Sequence, residues 1–335
     1  MKFYHLSHTD LDGYTCQFIT KHLFEDGYFV NANYGDEVTV RIDEILGQIE
    51  KRGDESYFLI TDLNLSLQEA QYLDSRVKEL ENVKLQLLDH HLSGLDTSMK
   101  FDWYHLDSTK SASLITFNFF KDEKIEHLEK LINAVNAVDI WLSEDRLFEF
   151  GKVLMRGVDE AKEINRVTFL NEGIAYKHHI LKRSLDFLKN GADHIAFDDE
   201  LWKIKKSFFI QERNDTLDNL ITGYILKLLK IKKELMTIYF RDYKGILTFG
   251  IQNSSIIGNA FLKAHPDYHF FMNVNSRGTF SLRADNKMDV SQMAEAVAGG
   301  GGHPNASGGK IKDFKEFFIY EELKSFIEEL LKEKE

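Results

Sequence analysis

The stretch KLQLLDHH at residues 84–91, read together with YFLITD at 57–62, decides the fold class. Each is a short apolar run that stops on an aspartate. YFLIT predicts a buried strand ending at Asp62, and VKLQLL at 83–88 predicts a second ending at Asp89. Between them Ser66 stands where an N-cap belongs, ahead of the helical stretch LQEAQYLDSRVKEL. Toward the N-terminus, KFYHL at 2–6 reads as a first strand, HTDLDG at 8–13 as a turn, 14–25 as a helix and 28–33 as a strand. Residues 36–51 read as an amphipathic helix with Val40, Ile45 and Ile49 near one face. Strands alternating with helices at this spacing mean a mostly parallel sheet with crossover helices.

Toward the C-terminus the pattern turns helical from about 110 to 230, as in LEKLINAVNAV and IQERNDTLDNLITGYILKLL. Strand signals return in LMTIYF from 235 and in GILTFGI after a turn at Asp242–Lys244. A helix at 254–264, then YHFFMNV and TFSLRA, then a helix at 289–298 entered from Asp289 follow. GGGGHPNASGG at 299–309 reads as a glycine loop, and 313–333 as a charged amphipathic helix. The chain is therefore read as α/β: a mostly parallel N-terminal domain over 1–190, a helical linker over 191–232, and a smaller mixed α/β domain over 233–335.

Composition narrows the classes. With 43% hydrophobic and 13% aromatic residues, the chain has ample material for packed cores and is not a disordered one. No apolar run approaches the roughly 18 residues of a spanning helix, so no membrane partner is expected. His8 and Asp10 interrupt the N-terminus before a secretory core could form, and a cytoplasmic setting is expected. Cys16 is the single cysteine, which excludes an intrachain disulfide and a thiolate zinc site. Only Pro266 and Pro304 occur, so long helices can run uninterrupted. The net charge of −12 does not suit a protein that coats long duplex nucleic acid. Residues 230–312 nevertheless hold eleven basic and six acidic side chains, enough for a small anion such as a nucleotide; ordinary scatter is the plain alternative.

In a parallel sheet the C-terminal ends of the strands meet along one crevice. Here they carry His8, Asp10 and Asp12 in HTDLDG, Asp62 after FLIT, and Asp89-His90-His91 after LQLL, with Asp139 at a predicted helix end in NAVDIW. Four converging aspartates would repel and take up protons unless a cation compensates them. Carboxylates with imidazoles and no thiolate suit manganese or a similar ion. Singly, each residue has a plainer use: an aspartate after a strand is often a turn former or N-cap, and paired histidines are often surface groups. The ordered set with HxDxDG spacing is harder to assign that way. Cys16 and His5 read as core, and His178-His179 as surface. No GxxxxGK[ST] is present, so there is no P-loop.

HTDLDG, the Asp62 strand end, Asp89-His90-His91 and Asp139 together resemble the four motifs of the DHH phosphoesterases. SLRADNKMDVSQMAEAVAGGGGHPNASGG resembles the companion DHHA1 substrate-binding domain. The single residue between His8 and Asp10 resembles the nanoRNase, or oligoribonuclease, branch. The resemblance implies a DHH domain and a DHHA1 domain with a cleft between them. It implies two manganese ions, replaceable by magnesium or cobalt, held by His8, Asp10, Asp12, Asp62, His90 and Asp139, with Asp62 bridging. It implies that Asp89 orients His90, that His91 faces the substrate phosphate, and that Arg283, His303 and the amides of Gly299, Gly300, Gly301 and Gly302 hold the nucleotide.

Two cations can ready a water molecule and neutralise a phosphoryl oxygen, and an arginine fork suits a phosphate. The expected activity is hydrolysis of very short oligonucleotides or dinucleotides to 5′-mononucleotides, with room for a homodimer. Cyclic dinucleotides, 3′-phosphoadenosine 5′-phosphate and longer single strands, the last as RecJ-type exonucleases take them, stay open as substrates. A non-catalytic nucleotide sensor is the alternative of a different class.

Overall fold

A computed structural model describes residues 1–80, 82–191 and 193–334; Ala192, inside the expected linker, lies outside the described residues. Five strands form a wholly parallel sheet: β1 (Lys2–His8), β2 (Tyr28–Ala32), β3 (Ser56–Thr61), β4 (Val83–Asp89) and β5 (Tyr104–Leu106), in the order β2-β1-β3-β4-β5. All six residues of β3 are buried, as its unbroken apolar run requires of a strand covered on both faces. Fully burying each of its Phe, Leu and Ile side chains contributes roughly 1.5–3 kcal/mol. Crossovers are made by α1 (Leu11–Leu23), α2 (Asp36–Arg52), α3 (Leu67–Glu79) and the short α4 (Leu95–Ser98).

Local chemistry explains the boundaries. Ser66 caps α3 reciprocally with Glu69, so the expected N-cap is a full capping box. α2 ends on Gly53 in a left-handed conformation, with Asp36 and Glu37 in its first turn and Lys51 and Arg52 in its last. Its buried stripe is Val38, Ile42, Ile45, Leu46 and Ile49, so Val38 and not Val40 starts the inward face. The expected turn at 8–13 is shorter than the sequence suggests: Asp10 is already the N-cap of α1, which places Asp12 and Gly13 in helix. β5, three residues long, carries too little pattern to announce itself.

Helices then follow without a strand: α5 (Ala112–Phe120), α6 (Glu129–Asp139), α7 (Phe148–Asp159), α8 (Leu170–Lys189), α9 (His194–Phe209) and α10 (Leu217–Met236). The second sheet comprises β6 (Thr237–Phe240), β7 (Tyr243–Phe249), β8 (Phe270–Val274), β9 (Thr279–Ala284), β10 (Gly301–His303) and β11 (Ala306–Lys310). Its order is β10-β11-β9-β8-β7-β6, and only β7 and β8 run parallel. With it go α11 (Ser254–Ala264), α12 (Val290–Ala298) and α13 (Tyr320–Glu333). Phe270, Met272 and Leu282 of this sheet pack with Met293 and Leu323 in one apolar core. Asp289 caps α12 as expected. Two expectations are corrected here: the glycine loop at 299–309 is the β10–β11 hairpin, and the terminal helix begins at Tyr320.

The chain divides into two compact units, one of residues 1–161 and 174–205, the other of 162–173 and 206–335. The segment expected to be a linker is thus shared, its first part with the parallel sheet and the rest with the mixed sheet. Among the described residues no helix is long and apolar enough to cross a membrane.

Candidate metal centre

A β2-β1-β3 order makes the β1/β3 boundary a topological switch point, where connections leave in opposite directions and a crevice opens at the carboxyl ends. His8 is the last residue of β1, and Asp62 follows the last residue of β3. Asp62 is 1% exposed and sits at φ 57°, a left-handed backbone that aspartate tolerates better than most residues.

Around Asp62 the expected ligands converge. Its Oδ2 lies 3.6 Å from His8 Nδ1, which itself lies 2.8 Å from Asp10 Oδ2. Its Oδ1 lies 3.4 Å from His90 Nε2, which lies 3.5 Å from Asp139 Oδ2. The two oxygens of one carboxylate therefore face two different clusters. Among the described residues three sets have donor atoms within 4.8 Å of one another: His8 with Asp10 and Asp62, Asp12 with His90 and Asp139, and Asp62 with His90 and His91. All six expected metal ligands belong to this constellation.

Each ligand is held by its own element. Asp10 uses Oδ1 to cap α1 through the Gly13 amide at 2.9 Å, which leaves Oδ2 toward His8. Asp12 accepts the amides of Ala112 and Ser113, at 2.6 and 3.1 Å, and so ties α1 to the first turn of α5. Asp139 is the last residue of α6. For Asp10 the capping role and the position toward His8 are thus compatible, because they use different oxygens, whereas Asp12 has an amide on each of its oxygens.

The electrostatics show what the cluster lacks. Burial, then the charges of Asp10 and Asp12, push the Asp62 carboxyl well above its ordinary range. Burial, then Asp12, raise Asp139 to about 8. Burial opposes charge on His8, but Asp10 and Asp62 outweigh it and raise the imidazole to about 10. Burial also opposes charge on Asp10, yet the close His8 imidazole and the Gly13 amide bring it down to about 2. His8 Nδ1, Asp62 Oδ2 and Asp139 Oδ2 are buried without an aligned hydrogen bond. Buried polar atoms are normally satisfied, so crowded lone pairs turned on one another fit a divalent cation as the missing partner. Oxygen and imidazole donors without a thiolate are a set that could hold a divalent metal ion.

One expected role is corrected. Asp89 does not hydrogen-bond His90; its Oδ1 accepts from His91 Nδ1 at 2.8 Å, and its Oδ2 accepts from the Tyr104 hydroxyl at 3.0 Å. Asp89 is the last residue of β4 and fully buried; Tyr104 of β5 pairs with Leu87, two residues before it, so Asp89 and Tyr104 lie on one face of the sheet. Burial, then Asp89, raise the Tyr104 phenol, which keeps it a donor. Tyr34 is a second residue the sequence reading passed over. Its ring lies 5.0 Å from that of His8 and 5.8 Å from that of His91. It stands just past the end of β2, so the strand-end rule that points to Asp62 points to it too.

The remaining decoys sort themselves. His5 is buried between the hydroxyls of Thr20 and Thr61, both at 2.8 Å. Cys16 is core. His178, expected at the surface, packs edge-on against Phe18, and burial lowers it to about 3.

In the second unit, Arg283 of β9 and His303 of β10 both stand opposite Ala306 of β11. Directly opposed residues share a sheet face, so the two side chains project together from strands about 10 Å apart. Arg283 donates to the Ser255 hydroxyl at the start of α11. The glycines have distinct reasons. A Cβ on Gly300 would meet the Gly308 carbonyl at 2.3 Å, and Gly302, at φ 147°, would meet that of Ala306 at 2.6 Å. Gly301 has open space instead.

A family model described as DHHA1 domain matches residues 253–334. A 3′,5′-cyclic-nucleotide phosphodiesterase of Helicobacter pylori (strain ATCC 700392 / 26695) is 40% identical over 343 residues, covering 98% of this chain and 99% of the relative. Oligoribonuclease NrnB of Bacillus subtilis (strain 168) is 23% identical over 328 residues, covering 95% of this chain and 75% of the relative. A crystal structure of an uncharacterized protein from Helicobacter pylori G27 superposes with a TM-score of 0.94 at 39% identity, over 99% of both chains. With full-length identity of this order added to the converged strand ends, the chain belongs to the DHH/DHHA1 phosphoesterases, in their nanoRNase branch, and is a hydrolase of the phosphodiesterase type.

Proposed function

We propose that the chain is a manganese-dependent phosphodiesterase of small nucleotides. His8, Asp10 and Asp62 hold one cation, and Asp12, His90, Asp139 and the other oxygen of Asp62 hold a second. The observation that carries this reading is the Asp62 carboxylate, buried and facing a separate imidazole–carboxylate set with each oxygen. Cations bound there supply Lewis acidity to a phosphoryl oxygen and lower the pKa of water. His91 donates from Nδ1 to Asp89, which orients the ring so that its Nε2 edge faces the substrate phosphate. The parallel unit is the DHH domain, and the mixed unit is the DHHA1 domain that holds the nucleotide through Arg283, His303 and the amides of Gly299–Gly302. A cytoplasmic setting accords with a lone buried thiol.

Two substrate readings share one reaction: the P–O3′ bond breaks and a 5′-phosphate is left. Very short linear oligonucleotides are the first, in line with the name of the Bacillus subtilis relative. A 3′,5′-cyclic nucleotide, a substrate class not among those expected from the sequence, is the second, and the name of the Helicobacter pylori relative favours it. The test is one panel of a linear dinucleotide, five-mer and twenty-mer, 3′,5′-cyclic mononucleotides, cyclic dinucleotides and 3′-phosphoadenosine 5′-phosphate. Each is incubated with manganese, magnesium or chelator. The proposal expects 5′-mononucleotides from the dinucleotide or the cyclic mononucleotides with manganese and none with chelator. Intact substrates throughout would overturn it.

A further inference from the structure

Beside the metal centre the parallel unit carries a cavity of about 800 Å³, whose walls include Tyr34, Val38, Asn64, Glu69, Tyr72 and Ser93. Tyr34 follows β2, Asn64 follows β3, and Ser93 follows β4, so the cavity opens at the same carboxyl end of the sheet as the ligands. Tyr34 belongs to both. Its hydroxyl lies 3.3 Å from His91 Nε2, and its side is 46% exposed.

The lining chemistry restricts the occupant. Among the described residues no lysine, arginine or histidine lines the cavity, and one carboxylate, Glu69, does. A second phosphate is therefore unwelcome. A cation is no better served, because Glu69 is occupied in the capping box through the Ser66 amide at 2.8 Å. Besides the neutral polar side chains of Thr39, Ser66 and Gln68, the walls offer two phenol rings, the aliphatic Val38, and a polar pair. Asn64 Nδ2 donates to Ser93 Oγ at 3.0 Å, which leaves the Asn64 carbonyl as an acceptor and the Ser93 hydroxyl hydrogen as a donor, side by side. A flat, neutral heteroaromatic ring with a donor and an acceptor on one edge matches all of these features.

We propose that this cavity is a nucleobase subsite, which takes the base of the nucleotide whose phosphorus is held at the neighbouring metal centre. The base stacks on Tyr34, and Asn64 and Ser93 read its edge. The assignment rests on the phosphodiesterase reading for what lies beside the cavity, and it deepens that reading by giving the substrate a base-recognition contact on the parallel unit itself.

The test needs no catalysis. Adenosine, guanosine, cytidine and uridine are titrated at millimolar concentration into the full-length, chelator-treated protein, with ribose 5-phosphate as the base-free probe, and binding is read by saturation-transfer NMR. At least one nucleoside should bind, and ribose 5-phosphate should not displace it. Tyr34→Ala should weaken binding between about 5- and 150-fold, the range for one lost base–aromatic stack, and Tyr34→Phe should retain it. Ser93→Trp, a change at an exposed position, should fill the cavity and abolish binding without touching the core. No nucleoside binding to the wild type, or binding unchanged in both Tyr34→Ala and Ser93→Trp, would overturn the subsite. Tyr34-dependent nucleoside binding in a protein that hydrolyses no nucleotide diester would sink the phosphodiesterase reading while upholding the subsite.

Discussion

Asp62 combines burial, a left-handed backbone and a carboxylate oxygen without a hydrogen bond, next to two further carboxylates. A residue so placed costs stability unless something compensates it, and on the proposed function a bound cation would do so. Asp62→Asn keeps the shape and suits the same backbone region, so it should fold. We expect the variant to melt a few degrees above the wild type without metal and to lose the metal-induced stabilisation, with differential scanning fluorimetry as the readout. Its activity should fall by more than the 10–100-fold typical for loss of an outer partner of a ligand. Asp89→Asn is the contrasting case. It disturbs the Tyr104–Asp89–His91 chain without removing a ligand, so kcat should fall about 10–100-fold while bound metal, measured by mass spectrometry, stays the same. Equal loss of metal in both variants would contradict the division of roles.

At the level of elements, the β10–β11 hairpin separates glycines needed for folding from glycines available to a ligand. Gly302→Ala sets a methyl against the Ala306 carbonyl at a positive φ, so its melting temperature should drop. Gly301→Ala meets nothing, so it should melt like the wild type and raise KM if the amides of this loop approach the substrate. A Gly301→Ala variant with unchanged KM would remove the loop from the binding site. The same hairpin shows where the sequence was opaque. A glycine run has no side-chain alternation to read, so pairing through the backbone alone left no signal. The parallel half was legible for the opposite reason: β3 is an unbroken buried run, and α3 begins with its own cap. The convergence of these aspartates and histidines was legible because strand ends in a parallel sheet meet along one crevice. The partner of Asp89 was not, because it depends on the register of the three-residue β5, which brings Tyr104 near.

For the molecule as a whole, metal and pH are linked through the same groups. Asp139 has a folded value of about 8 against an ordinary 3.8, so the stability it contributes is complete below about pH 4 and is lost as pH rises to 8. His8, raised from 6.5 to about 10, adds a loss in the same direction between pH 6.5 and 10. The chelated protein should therefore melt progressively lower from pH 4 to 10. Asp139→Asn should flatten the part of that slope between pH 4 and 8, and manganese should stabilise the wild type more at pH 8 than at pH 6, because the ligands must shed protons to bind it. An unchanged slope in Asp139→Asn would show that the crowded carboxylates do not govern stability. The most direct measurement is anomalous diffraction at the manganese edge from crystals grown with Mn(II). The account predicts two peaks flanking the Asp62 carboxylate, one toward His8 and Asp10 and the other toward Asp12, His90 and Asp139; an absence of anomalous density among these side chains would contradict it.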